Sequence, residues 1–111
     1  MTAAQEKKVE ELRSSIVFKL NGMDREIKEF SVEDHQYFVS VYVIFGYIDE
    51  ESRWYKYFPI RDHAHFFVGP RGGLTYPIWK SRDKMIRRPC KPNDLLKVEA
   101  EQKKLAYSTY I

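Results

Sequence analysis

Tyr37–Ile48, reading YFVSVYVIFGYI, is the longest apolar run in the chain and decides the architecture. Val, Ile, Tyr and Phe favour a pleated, half-buried surface over a helix. So continuous a run predicts an interior strand buried on both faces at the centre of a sheet. Ser40 and Gly46 interrupt it, and it falls short of the roughly 18–20 apolar residues that cross a bilayer, so no membrane span is expected.

Working upstream, Ser31 and Asp34 have the spacing of a helix-capping pattern, but the β-formers that follow limit any helix there to one turn. Across Arg25–Val32, Ile27 is out of phase with Phe30 and Val32, which predicts a bulge or an irregular stretch between them. Asn21-Gly22 has the composition of a tight hairpin turn, and Ile16, Phe18 and Leu20 alternate with Val17 and Lys19, which predicts a strand over 15–20. Before it, Ala3 to about Arg13 is made of good helix formers with Val9, Leu12 and Ile16 at helical spacing, a short helix with a narrow apolar stripe for peripheral docking.

Downstream, Asp49-Glu50-Glu51-Ser52 is a polar turn, and Arg53–Phe58 reads as a returning strand with Trp54, Lys56 and Phe58 on one face and Arg53, Tyr55 and Tyr57 on the other. His63–Val68 is a further strand, Gly69-Pro70-Arg71-Gly72-Gly73 a loop, and Leu74–Trp79 a short strand. Lys80–Lys91 crowds bases around Met85 and Ile86 and reads as a short helix or an ordered connection. After Pro92, Asn93 or Asp94 caps a helix whose Leu95, Leu96, Val98, Ala100 and Leu105 are available to cover the sheet. The expectation is therefore one α+β domain over 1–111: an N-terminal helix in 1–14, an antiparallel sheet of about four to six strands in 15–79, a basic connection in 80–92 and a C-terminal helix in 93–108.

Composition agrees with one such unit. The 111 residues are 43% hydrophobic and 32% charged, a buried core under a solvated surface, and the aromatic share of 15% predicts that rings supply much of that core. The first fourteen residues mix Glu with Lys and Arg, unlike a secretory signal or a transit peptide, and the single cysteine, Cys90, allows no intrachain disulfide; a cytoplasmic setting is expected. Net charge is +3, but it is unevenly laid out. From Asp24 to Glu51 there are eight acids (Asp24, Glu26, Glu29, Glu33, Asp34, Asp49, Glu50, Glu51) against Arg25 and Lys28; from Arg61 to Lys91 there are eight bases (Arg61, Arg71, Lys80, Arg82, Lys84, Arg87, Arg88, Lys91) against Asp62 and Asp83.

Four constellations have chemical content. His63 and His65 stand at i and i+2, on one face of a strand, where they could share a metal with His35 or Asp62; packed or solvated imidazoles give the same spacing. Cys90 lies among Arg87, Arg88 and Lys91, cations that lower a thiol pKa, but no partner base is identifiable. The 69–73 loop could cradle a phosphate, yet it lacks any phosphate-loop signature and reads better as a sheet connection. The 71–91 region interleaves cations with rings: Arg71, Trp79, Lys80, Arg82, Lys84, Arg87, Arg88 and Lys91 have the makings of a nucleic-acid surface, unless the acidic region neutralises them within the fold.

The expected function is that of a small non-enzymatic protein, without cofactor, that engages nucleic acid or an acidic protein surface through residues 71–91. One alternative is an inhibitor or adaptor that meets a basic protein through the acidic 24–51 region and sheet aromatics, with Asp49, Glu50, Glu51, Trp54 and Tyr57 at the interface. A second is a metal-dependent enzyme built on His63 and His65.

Overall fold

The computed structural model describes residues 1–48 and 62–108. Their order is α1 (Ala3–Asn21), β1 (Arg25–His35), β2 (Phe38–Tyr47), β3 (Asp62–Val68), β4 (Leu74–Ser81), β5 (Lys84–Pro89) and α2 (Leu95–Ser108). The strands form one antiparallel sheet in the order β1-β2-β3-β4-β5, so the fold is α+β, as the apolar run and the terminal helices predicted. The expected turn at 49–52 and strand at 53–58 lie outside the described residues.

Segment 15–20 is helix, not strand. Thr2 caps α1, its hydroxyl accepting from the Gln5 amide while the Gln5 side chain accepts from the Thr2 amide. From there Leu12, Ile16 and Leu20 fall at intervals of four on one buried stripe. Ile16 and Leu20 satisfy a period of two as well as a period near 3.6, and Phe18 separates the two: it is 84% exposed, on the far side of the helix. Asn21-Gly22 accordingly ends a helix instead of turning a hairpin, and the left-handed residue there is Asp24, at φ 53°.

β1 runs unbroken through Ser31 and Asp34, with no helical turn. Its register against β2 slips between Ile27 and Glu29, which makes Lys28 the extra residue of the expected bulge and restores the phase of Phe30 and Val32. The basic connection expected at 80–92 is also corrected. β4 extends to Ser81, Arg82-Asp83 turns, and β5 pairs back along β4 with Ile78 opposite Ile86 and Tyr76 opposite Arg88. Among the described residues Ile86 is the aliphatic side chain of β5 that packs against the core, too little to mark a strand by alternation.

Both helices cover one face of the sheet. Leu12, Ile16 and Leu20 of α1 and Leu95 and Val98 of α2 join Val39, Val41, Val43, Phe45, Ala64, Phe66, Val68, Leu74, Tyr76 and Ile78 in a single core. Burying each of the larger side chains contributes roughly 1.5–3 kcal/mol. Aliphatic side chains line most of it, and among the described residues the fully buried rings are Phe45, Phe66 and Tyr76. In α2 Ala100 is exposed instead of covering the sheet. Asp94 stands at the start of α2, where its carbonyl accepts from the Val98 amide at 3.0 Å and its side chain from the Lys91 amide at 2.9 Å.

A buried ionic group holds the helix layer to the sheet. Arg25, lying over the Phe45 ring, pairs with Asp62, and Lys103 of α2 reaches both Asp62 (2.6 Å) and Glu99 (2.8 Å). Arg25, Asp62 and Glu99 are buried and Lys103 is exposed, so the buried charges are paired and the second cation reaches them from solvent.

Candidate nucleic-acid interface

The alternation that buries Val39, Val41, Val43 and Phe45 turns Phe38, Ser40, Tyr42 and Ile44 to the other face of β2. Register extends these positions into cross-strand rows: Glu29-Ile44-His63, Ser31-Tyr42-His65 and Glu33-Ser40-Phe67-Thr75. This face departs from the double burial expected of the apolar run, since Tyr42 is 44% exposed.

Its rings stack on one another. Tyr42 lies over His65 with centroids 4.1 Å apart and planes within 16°, His65 meets Phe67 edge-on at 4.6 Å, and Phe67 meets Phe38 edge-on at 5.3 Å. His35 stacks on Phe38 at 4.8 Å. Arg87, reaching across from β5, places its guanidinium carbon 4.6 Å from the centroids of both Phe38 and Phe67, a cation held against two aromatic rings. Burial by these neighbours lowers the His65 pKa to about 4, with the charge of His35 adding to the effect, so the ring is neutral at pH 7.

The backbone beneath is locked by a device absent from the sequence reading. β3 and β4 pair only through Phe67-Thr75 and Val68-Leu74; continued, that register sets Phe66 against Tyr76 and then His65 against Pro77, which has no N–H to donate. In its place the Gln102 carboxamide accepts from the His65 amide (3.1 Å) and donates to the His65 carbonyl (2.9 Å). A side-chain amide from α2 thus completes the ladder where the strand cannot.

The bases proposed from sequence are distributed by the β4-β5 hairpin. Trp79, 52% exposed, stands with Lys80, Arg82 and Lys84 around the turn, while Arg71 and Lys91 lie at the opposite end of the hairpin. Arg87 and Arg88 part company: Arg87 faces the rings, and Arg88 faces the helix layer, where it pairs with Glu101 at 3.3 Å. The acids Glu26, Glu29, Glu33 and Asp34 sit on β1, the other edge. Four strand spacings separate the edges by roughly 19 Å along the sheet, beyond the ~8 Å Debye length at physiological salt. Among the described residues no ion pair joins β1 to β5, so the basic edge is not neutralised by the acidic strand.

The remaining candidates separate. His63 and His65 do share a face, but Asp62 points to the opposite one and pairs with Arg25, and His35 is engaged with Phe38. Among the described residues no three His, Cys, Asp or Glu side chains are grouped to hold a metal ion. Cys90 is half-buried against the core, and burial, with Asp94 beside it, pushes its thiol up to about 11; Lys97 opposes the shift without reversing it. That is the reverse of thiolate activation. In the 69–73 loop the Gly69 and Gly72 amides are spent on loop carbonyls. Gly72, at φ 85°, also lies so close to α1 that a Cβ would stand 3.2 Å from the Ala4 carbonyl oxygen, so this loop is a packed turn. Asp49, Glu50, Glu51, Trp54 and Tyr57 lie outside the described residues.

The sequence reading missed Phe38, Tyr42 and Phe67 as members of the sheet face away from the helices, although period-two alternation in 38–47 and in 62–68 marks that face. Compared with known proteins, the chain matches no family model, no curated protein and no solved structure.

Proposed function

We propose that this chain is a non-enzymatic binding protein for single-stranded nucleic acid, with phosphates along the β4-β5 hairpin and bases against the ring face of β2 and β3. The observation that carries this reading is Arg87 laid over Phe38 and Phe67 beside the Tyr42-His65 stack: a cation and flat rings on one sheet face, flanked by a basic hairpin. Unpaired bases have exposed faces that stack on such rings, each worth about 1–3 kcal/mol, whereas duplex bases do not. The acidic β1 edge repels phosphate and favours one placement of the strand, backbone toward β5 and bases toward β2.

Fluorescence anisotropy with a labelled RNA of about 10 nucleotides, and with its duplex, tests the proposal. The expected result is preference for the single strand, affinity that falls steeply with salt, and a loss of about tenfold in Arg87→Ala. No binding at low salt would overturn it. So would equal competition by polyglutamate, which would leave a general polyanion surface without base contacts.

A further inference from the structure

Because His65 stacks on one face of Tyr42, the other face of the Tyr42 ring is turned toward β1. On that side lies an open groove of about 440 Å³, bordered by Tyr42, Ile44, Ser31 and Glu29 and continuing past His63 and His65 to Gln102. One wall of it is an exposed aromatic face. The other wall is polar: the Glu29 carboxylate accepts from the Ser31 hydroxyl at 3.1 Å through one oxygen, and its second oxygen has no partner among the described residues. Behind the ring wall, His65 is fastened by both backbone groups to Gln102.

Resting on the single-strand reading, we infer that this groove is a slot for one nucleobase, stacked on Tyr42 with an exocyclic amine donating to Glu29. A carboxylate only accepts, so it pairs with the exocyclic amino groups of cytosine, adenine or guanine. Uracil presents a carbonyl oxygen where cytosine presents its amine, and that oxygen would face the Glu29 carboxylate with no proton between them. The slot therefore selects amino-bearing bases over uracil. Selection comes from Glu29, and the stacking on Tyr42 is common to both pyrimidines.

Oligocytidylate and oligouridylate of equal length isolate this effect, because their rings are of similar size and their backbones are identical. The wild-type chain is expected to bind oligocytidylate roughly five- to tenfold more tightly. Glu29→Gln, an exposed position on an edge strand, presents either a carbonyl or an amino group to the base; its ratio is expected to collapse toward one, with tighter binding of both oligomers as an anionic charge is lost. Tyr42→Leu is expected to weaken both oligomers by a similar factor. A wild-type ratio near one, or a ratio unchanged in Glu29→Gln, overturns the slot and leaves the single-strand reading standing. Failure of both oligomers to bind at low salt overturns the two together.

Discussion

Phe66 and Phe67 are consecutive residues of β3, 0% and 6% exposed, yet they are enclosed by different parts of the molecule. Phe66 points into the core beneath the helices, among aliphatic side chains of β2 and α2. Phe67 points the other way and is covered by Phe38, His65 and the Arg87 guanidinium, all side chains of its own face. Burial alone does not separate a core residue from a site residue. What separates them is whether the cover is fixed secondary structure or side chains able to make way for a ligand.

Substitution of the two phenylalanines is the strongest way to break this comparison. Phe66→Ala leaves a cavity walled by helices that cannot collapse, and is expected to cost about 3–5 kcal/mol in denaturant unfolding. Phe67→Ala lets Phe38 and Arg87 settle into the space, and is expected to cost about 2 kcal/mol while removing most of the oligonucleotide affinity. Equal costs for the two would make the ring face a second core and dissolve the distinction.

The next effect concerns the join between the faces. Gln102→Ala leaves the His65 N–H and C=O without partners at the point where Pro77 cannot serve, an expected loss of about 1–3 kcal/mol. Hydrogen exchange locates it: the His65 amide should lose protection by more than the global change in stability, whereas the Val43 amide should follow the global change.

Acid sharpens the comparison with a smaller effect. The unfolded His65 imidazole takes its proton near 6.5 and the folded one only near 4, so between these values the unfolded chain holds more protons. His65 therefore makes stability fall as pH is lowered from 6.5 toward 4, by about 1–2 kcal/mol once the half-exposed ring is discounted for solvent screening. His65→Phe should be less acid-sensitive by that amount in parallel pH titrations of unfolding. Identical pH profiles would mean that the ring is solvated, not covered by Tyr42 and Phe67.

Smallest is the stability effect of Tyr42→Ala, expected at about 1 kcal/mol or less because its ring is already half in water. Its binding loss should nonetheless match that of Phe67→Ala, since both remove a stacking surface.

Much of the architecture was legible because local chemistry and final environment agree. The β-forming residues of β2, though not the double burial expected of them, the phase break between Ile27 and Phe30 that became the Lys28 bulge, and the helix-forming residues after Asp94 each carry their own signal. Residues 15–20 misled because Ile16 and Leu20 fit two periods, and only their continuation of the Leu12 stripe onto the sheet resolves them. β5 was invisible because an edge strand with one face in water and a single aliphatic anchor at Ile86 has no alternation to read. The site was half legible: the bases of the hairpin were found from charge, and the rings that meet Arg87 were assigned to the core.

Composition and periodicity by themselves determined that the chain builds an antiparallel sheet with helices at its ends, and that acids precede bases along it. Only the tertiary structure decided that both helices cover the same face, leaving Phe38, Tyr42 and Phe67 to cover one another, and that acids and bases sit on opposite edges. Alternation within a strand assigns residues to two faces, but it contains nothing about which face a distant helix will cover. That choice belongs to contacts such as the one Gln102 makes with His65 across 37 positions of the chain, and no local pattern encodes them.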